Sequence, residues 1–149
     1  MTEKRTVYLA YGSNLNISQM IWRCPTAKPI RATILSDWEL TFWGDYGSAV
    51  ATIIPRTGSS VPVVLWSITA ADEKALDVYE GFPRLYRKQY LQLKCDGRKA
   101  KVMVYIMNHG YVNVPSERYF TTILDGYRDF SMNPEPLFLA LKKAQENRS

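Results

Sequence analysis

Two apolar runs, residues 49–54 and 61–68, constrain the fold of this chain more than any other feature. Both are rich in Val, Ile, Ala and Trp and far shorter than the ~20 residues a membrane-spanning helix needs, so they read as strands. Between them lies Pro55-Arg56-Thr57-Gly58-Ser59-Ser60, a cluster of turn formers. The pair is expected to form a β-hairpin with a loop longer than the tightest type.

Further strands are expected on either side. Thr6-Val7-Tyr8-Leu9-Ala10-Tyr11 is stopped by Gly12, residues 30–35 and 39–43 resemble two more strands, and residues 86–93 and 101–107 are joined by a turn at Asp96-Gly97. Helices are announced by their caps. Asn16 can cap a short helix from 17 to 23 that ends before Pro25. Thr69-Ala70-Ala71-Asp72 is a capping-box start, with Ala75, Leu76 and Tyr79 on one face and Gly81 at the end. Pro115-Ser116 opens a helix with Tyr119, Phe120, Ile123, Leu124 and Tyr127 at helical spacing. A last helix starts near Pro134 or Pro136 and carries Leu137, Leu141 and Ala144 on one face. With 149 residues, 46% of them apolar, and no linker or repeat, residues 1–149 are expected to form one domain. The order of elements points to an α+β fold, a curled, largely antiparallel sheet with helices, and leaves closure into a small β-barrel open.

Composition narrows the chemistry. The chain has only Cys24, Cys95 and His109, too few for an ordinary structural zinc site. A Ser-His-Asp or Cys-His nucleophile would have to use His109, which sits beside Gly110 in an expected loop. An enzyme of this composition therefore draws its proton carrier from carboxylates, Lys or Tyr. The net charge of +5 favours anionic small molecules without demanding nucleic acid. The polar start, residues 1–6, does not resemble a secretory signal, and two Cys suggest free thiols, so a cytoplasmic location is expected.

Two segments could carry chemistry. In Ala10-Tyr11-Gly12-Ser13-Asn14-Leu15 a strand runs through Gly into a helix start. Gly allows a ligand to approach the backbone, and the converging N–H groups suit a carboxylate or an oxyanion. Taken alone the turn is a weak signal and reads first as an ordinary chain reversal. It is neither a P-loop nor a dinucleotide fingerprint, and Ser13 lacks the second Gly of a nucleophile elbow. The other segment is Glu80, at the expected C-terminal end of a helix. The partial negative charge there disfavours a carboxylate, and Tyr79, Phe82 and Tyr86 could add desolvation, so its pKa should rise. A solvated surface Glu is the plain alternative, and Arg84, Arg87 and Lys88 are near enough in sequence to pair with it.

Tyr11-Gly12-Ser13-Asn14-Leu15, with Leu76-Asp77 and Glu80-Gly81 before Tyr86, resembles the γ-glutamylcyclotransferase-like family. Ala51-Thr52-Ile53 leading to Val64-Leu65-Trp66, and Pro115-Ser116 followed by Tyr119 and Gly126, echo it in the right order. The resemblance implies a small mixed barrel and an intramolecular aminolysis. The α-amine of a γ-glutamyl group attacks its own γ-carbonyl, releasing 5-oxoproline and an amine or amino acid. It implies Glu80 as the general acid/base, and Ala10, Tyr11, Gly12, Ser13, Asn14 and Tyr119 as the substrate-binding set, although the spacing of Tyr119 equally fits core packing. It implies no metal and no cofactor, and a γ-glutamyl small molecule as partner; the short apolar runs and the scattered basic residues lead to no expectation of a membrane or nucleic-acid partner. The family is tied to glutathione metabolism. Oligomeric state and leaving group stay open. Val63 stands where members often have Gly, which bears on either the pocket floor or strand packing, and the loop 43–48 is particular to this chain.

The same site could instead free a protecting group in biosynthesis or split a γ-glutamyl-lysine isopeptide. A non-catalytic module binding a small carboxylated ligand is a different class, and retention of Glu80 speaks against it. A basic, aromatic-rich barrel for single-stranded nucleic acid is a third, but no Lys/Arg cluster is interleaved with the aromatics.

Overall fold

The computed structural model describes residues 4–95 and 97–147. Residues 1–3, Asp96 of the expected turn and the side chain of Cys95 lie outside the described residues. The elements are β1 (Thr6–Ala10), a 3-10 turn (Ser13–Leu15), α1 (Ile17–Arg23), β2 (Lys28–Trp43), β3 (Val50–Ile68), α2 (Ala70–Glu80), β4 (Tyr86–Cys95), β5 (Arg98–Met107), α3 (Glu117–Asp129) and α4 (Glu135–Glu146).

The caps form as the sequence requires. Asn16 accepts from the Gln19 amide, and Ser116 accepts from that of Tyr119. Thr69 and Asp72 complete a reciprocal capping box, and Asp72 also accepts a hydrogen bond from Thr26 at 2.7 Å, which ties the start of α2 to the segment before β2. Gly81 ends α2 with φ 63°, a conformation that favours glycine.

The strands form a five-stranded sheet in the order β2-β3-β1-β5-β4. All pairs are antiparallel except β1 with β5. The fold is thus α+β with a largely antiparallel sheet, as expected. Closure is the exception: no ladder joins β2 to β4 among the described residues. A cleft lined by Ile34 and Trp38 on one side and Leu91 and Leu93 on the other lies between those two edges, so the sheet is curled but open.

The expected hairpin across residues 55–60 does not form. The two apolar runs are successive halves of one strand, β3, and both pair with β2. Trp43 to Trp38 face Val50 to Pro55, and Ser36 to Lys28 face Ser60 to Ser67. The turn cluster is an irregularity in β3 opposite one in β2, where Asp37 takes φ 68° and accepts a hydrogen bond from the Gly58 amide. Turn-forming residues bend the strand here instead of reversing it. The expected strands 30–35 and 39–43 are, for the same reason, one strand.

The core is continuous from the sheet into the helices. Trp66, Phe42, Tyr105 and Tyr127 are fully or almost fully buried, each side chain of this kind contributing roughly 1.5–3 kcal/mol. Phe120 of α3 packs on both Phe42 of β2 and Phe138 of α4. Gly126 lets α3 approach the 3-10 turn: a Cβ there would lie 2.7 Å from Leu15 Cβ and 2.8 Å from the Asn16 nitrogen. This contact fixes the turn against α3. No helix is long and apolar enough to cross a membrane among the described residues.

Candidate active site

β1 is the central strand of the sheet, so the chain leaves it at Tyr11 from the middle of the fold. The 3-10 turn follows at once. Its first internal bond runs from the Leu15 amide to Gly12 O at 3.0 Å, which leaves the Ser13 and Asn14 amides without an acceptor inside the turn. Gly12 sits close to β3. A Cβ would lie 3.2 Å from Ala51 Cβ and 3.5 Å from the Tyr119 hydroxyl. Its φ is −120°, so its value lies in this close approach and not in a left-handed backbone.

A cavity of about 250 Å³ opens beside the turn. Gly12, Ser13 and Asn14 form one wall, with Tyr8 and Tyr11 behind them. Val50 and Ala51 at the start of β3, Tyr79 and Glu80 at the end of α2, and Leu85 and Tyr86 before and in β4 form the others, with Tyr105 and Tyr119. The tyrosines are tethered. Tyr11 donates to Tyr105 O at 2.6 Å, Tyr86 donates to Ala51 O at 2.7 Å, and the Ala51 amide donates to the Tyr119 hydroxyl at 3.0 Å. Tyr105 donates to Asp77 at 2.6 Å, and the Asp77 carboxylate is paired with Lys88 at 2.9 Å. Asp77 therefore props the pocket from outside.

Glu80 projects into this space. Asn14 Nδ2 donates to Glu80 Oε1 at 3.3 Å and to the Tyr8 hydroxyl at 2.8 Å. Burial pushes the Glu80 carboxyl up to about 7, and Arg23 opposes the rise. Burial likewise raises the phenols of Tyr8, Tyr11, Tyr86 and Tyr119 far above neutrality, so these four carry no charge where Glu80 titrates. The opposing cation is not one of the three expected from sequence proximity. Lys88 pairs with Glu73 and Asp77, and Arg87 donates to Met107 O.

The structure brings Tyr11, Gly12, Ser13, Asn14, Glu80 and Tyr119 together around one cavity. Ala10 is buried in the β1–β3 ladder opposite Val64 and does not line the cavity. The first amides of α1 are engaged elsewhere, Ile17 donating to Asp129 and Gln19 to Asn16, whereas the 3-10 turn lines the cavity through Ser13 and Asn14. Val63 is fully buried in β3 away from the cavity, so the departure there concerns strand packing. Residues 43–48 do not line it either; Gly44 and Gly47 donate to the carbonyls of Tyr111 and Val114. His109 is exposed and Cys24 is a buried free thiol.

Sequence reasoning missed Arg23 and the polar role of Tyr79. Helical spacing puts Tyr79 on one face with Ala75 and Leu76. It is 43% exposed, with its hydroxyl 2.8 Å from Ser13 Oγ across the pocket mouth. A tyrosine beside Glu80 and one turn past the buried Asp72-Leu76 face was the available signal.

Comparison with known proteins places this architecture. The family model described as gamma-glutamyl cyclotransferase, AIG2-like, matches residues 8–126. The chain is 26% identical over 139 residues to a Homo sapiens protein named gamma-glutamylcyclotransferase, covering 85% of this chain and 72% of that one. It is 27% identical over 140 residues to the Mus musculus protein of the same name, covering 87% and 73%. The solved structure of "uncharacterized protein loc79017" from Homo sapiens shares the fold, with a TM-score of 0.82 at 24% identity over 93% of this chain and 87% of that one. The matched span runs from β1 through the turn, Glu80 and most of α3, and the chain belongs to the gamma-glutamyl cyclotransferase, AIG2-like family.

Proposed function

We propose that this protein is a γ-glutamylcyclotransferase that closes the γ-glutamyl group of a small substrate into 5-oxoproline, with Glu80 as its general base and then its general acid. The observation that carries the reading is the Glu80 carboxyl itself. It stands in a cavity walled by uncharged phenols, with a pKa raised to about 7 and, among the described residues, one hydrogen-bond donor, Asn14, on one oxygen. A carboxyl so placed can both take and return a proton near neutrality.

The substrate enters with its α-amine protonated. Glu80 accepts one proton, and the freed amine nitrogen attacks the γ-carbonyl carbon of the same residue. A new C–N bond closes the five-membered ring as the carbonyl oxygen takes up negative charge. The Ser13 and Asn14 amides, without acceptors in their own turn, suit that oxygen or the substrate carboxylate. The bonded ring nitrogen then gives up its second proton as the oxyanion collapses and the bond to the leaving nitrogen breaks; protonated Glu80 supplies that nitrogen with one proton and relays the second from the ring nitrogen to it, so the amine departs as an ammonium and Glu80 returns to the carboxylate. The nucleophile lies within the substrate, so no Ser or Cys nucleophile is called for. Much of the acceleration comes from holding the folded conformer, which suits a cavity of about 250 Å³ with tethered walls.

Incubating the protein with γ-glutamyl amino acids, γ-glutamyl amines, γ-glutamyl-lysine and glutathione, and reading 5-oxoproline by mass spectrometry, tests this. Turnover of at least one of them, lost by ~10²–10⁴ in Glu80→Gln, is expected. No 5-oxoproline from any of them, or near wild-type turnover in a folded Glu80→Gln protein, sinks the assignment. The panel also identifies the leaving group.

A further inference from the structure

α1 ends at Arg23, whose side chain makes three contacts at once. Nη1 donates to Asn14 Oδ1, and Nη2 donates to Gln19 Oε1 one turn back at 3.2 Å. The guanidinium carbon lies 3.4 Å from the centroid of the Tyr79 ring. The helix itself needs none of this, since a last-turn Arg complements a helix C-terminus equally well from solvent. The contacts direct the charge onto the turn that carries Asn14 and the last turn of α2, which carries Glu80.

An asparagine amide has a donor end and an acceptor end, and only one orientation serves here. Guanidinium offers donors alone, so it holds Oδ1 on its own side and turns Nδ2 toward Tyr8 and Glu80. Reversed, the amide would present its carbonyl to the carboxylate and its NH₂ to the cation, both repulsive. The groups facing Glu80 are Tyr8 and Tyr11 from β1 and its end, Asn14, Arg23 from α1, Tyr79 from its own helix, Tyr86 from β4 and Tyr119 from α3. Arg23 is the one cation in that set, and it works against the effect of burial on Glu80.

We propose that Arg23 is a positioning residue for Glu80. It locks the Asn14 amide so that one carboxylate oxygen is held and the other is left for the substrate amine, and it supplies the positive charge that favours the carboxylate inside a pocket of phenols. This deepens the proposed reaction and rests on it. The charge helps twice: it favours the carboxylate that receives the ammonium proton, and it favours the return to carboxylate as the proton passes to the leaving nitrogen. Lys at this position would keep the charge but not the planar fork that reaches Asn14 and Gln19 while stacking on Tyr79.

Arg23→Gln and Arg23→Lys test this, each checked for a native circular dichroism spectrum. NMR of protein labelled at the Glu side-chain carboxyl carbon, with Glu80→Gln to assign the signal, follows Glu80 without any substrate. Kinetics follow kcat and KM. In Arg23→Gln the Glu80 titration should move up by about one pH unit. Its kcat at neutral pH should fall by roughly ten- to a hundredfold, the loss expected for one charge-assisted hydrogen bond, with KM nearly unchanged. In Arg23→Lys the titration should stay near wild type while kcat still falls. An unmoved Glu80 titration in folded Arg23→Gln overturns the proposal, because a merely structural Arg would leave it so. If Arg23→Gln does not fold, Arg23→Lys decides, and a wild-type kcat there overturns the positioning role. A wild-type protein without cyclase activity would refute the proposed function instead, and the substrate-free titration would still decide the role of Arg23.

Discussion

Replacing Glu80 with Gln removes an ionisable group whose charged form is disfavoured in the folded protein, so the variant should gain stability as it loses activity. The ordinary value of the carboxyl is 4.5, and in the fold it is about 7, raised by burial. Below the ordinary value the group is protonated in both folded and unfolded chains and contributes no difference. Between the two values the unfolded chain gives up its proton while the folded protein keeps it, so wild-type stability falls as pH rises. Above about 7 both states are ionised, and the full difference, about 3 kcal/mol, weighs against the wild type. Gln has no such dependence. Relative to wild type, Glu80→Gln should therefore gain about 3 kcal/mol between about pH 4 and about pH 8.5, or roughly 6–12 °C in melting temperature for a chain of this size. Thermal and urea melts of both proteins at the two pH values measure this. A stability difference that stays constant across that window, or that moves against the variant as pH rises, would refute the claim that burial raises Glu80.

The remaining predictions concern the pocket and its supports. The kcat/KM profile should fall on the acid side with an apparent pKa of about 7, because the reaction starts from ionised Glu80; an acid limb at the value of free Glu would contradict the assigned burial. The alkaline limb belongs to the substrate amine and should move between two substrates whose amine pKa values differ. Gly12→Val should abolish binding of 5-oxoproline in calorimetry, because its Cβ would already stand 3.2 Å from Ala51 and its methyls would displace the Tyr119 hydroxyl; unchanged affinity in a folded variant would make the turn purely structural. Gly126→Ala should lower stability by roughly 1–3 kcal/mol in urea melts, since its Cβ would press on the backbone at Leu15 and Asn16, and a neutral result would mean that α3 can slide away from the turn.

How much of this could be read in the sequence depended on whether a feature is set locally. Asn16, Thr69, Asp72, Gly81 and Ser116 act within four residues of themselves, and each cap forms where the sequence puts it. The long β2–β3 ribbon is not a local property. A Pro-Arg-Thr-Gly-Ser-Ser cluster serves a hairpin loop or a kink equally well, and the choice falls to the partner strand. Ser36 and Trp38 flank an irregularity in β2 directly opposite, where Asp37 alone faces residues 56–59; the register shifts there, and the two strands stay paired on both sides of it. The matching breaks in the two arms around residues 44–49 were the available signal. Each arm taken alone reads as two short strands.

Charge at the site shows the same division more sharply. Glu80 at a helix C-terminus, beside aromatic residues, suffices to suggest a raised pKa, but the final value depends on which cation arrives. The helix end does not require one. The Gly81 amide donates to the carbonyls of Asp77 and Val78, and the Phe82 amide donates to Asp77 O at 2.9 Å, so these two carbonyls of the last turn have backbone partners. Arg87 and Lys88, close in sequence, are drawn to Met107 O and to the Glu73–Asp77 pair. Arg23 comes from another helix and reaches the site because Tyr79 offers a ring face to stack on and Asn14 offers an acceptor. Those two residues matter to Glu80 in their own right: Asn14 donates to its carboxylate and Tyr79 stands next to it in α2. The cation is thus recruited by the residues that build the pocket and not by the carboxylate it acts on. A single sequence identifies the acid and the turn separately, while the residue that couples them becomes visible only once the two helix ends meet.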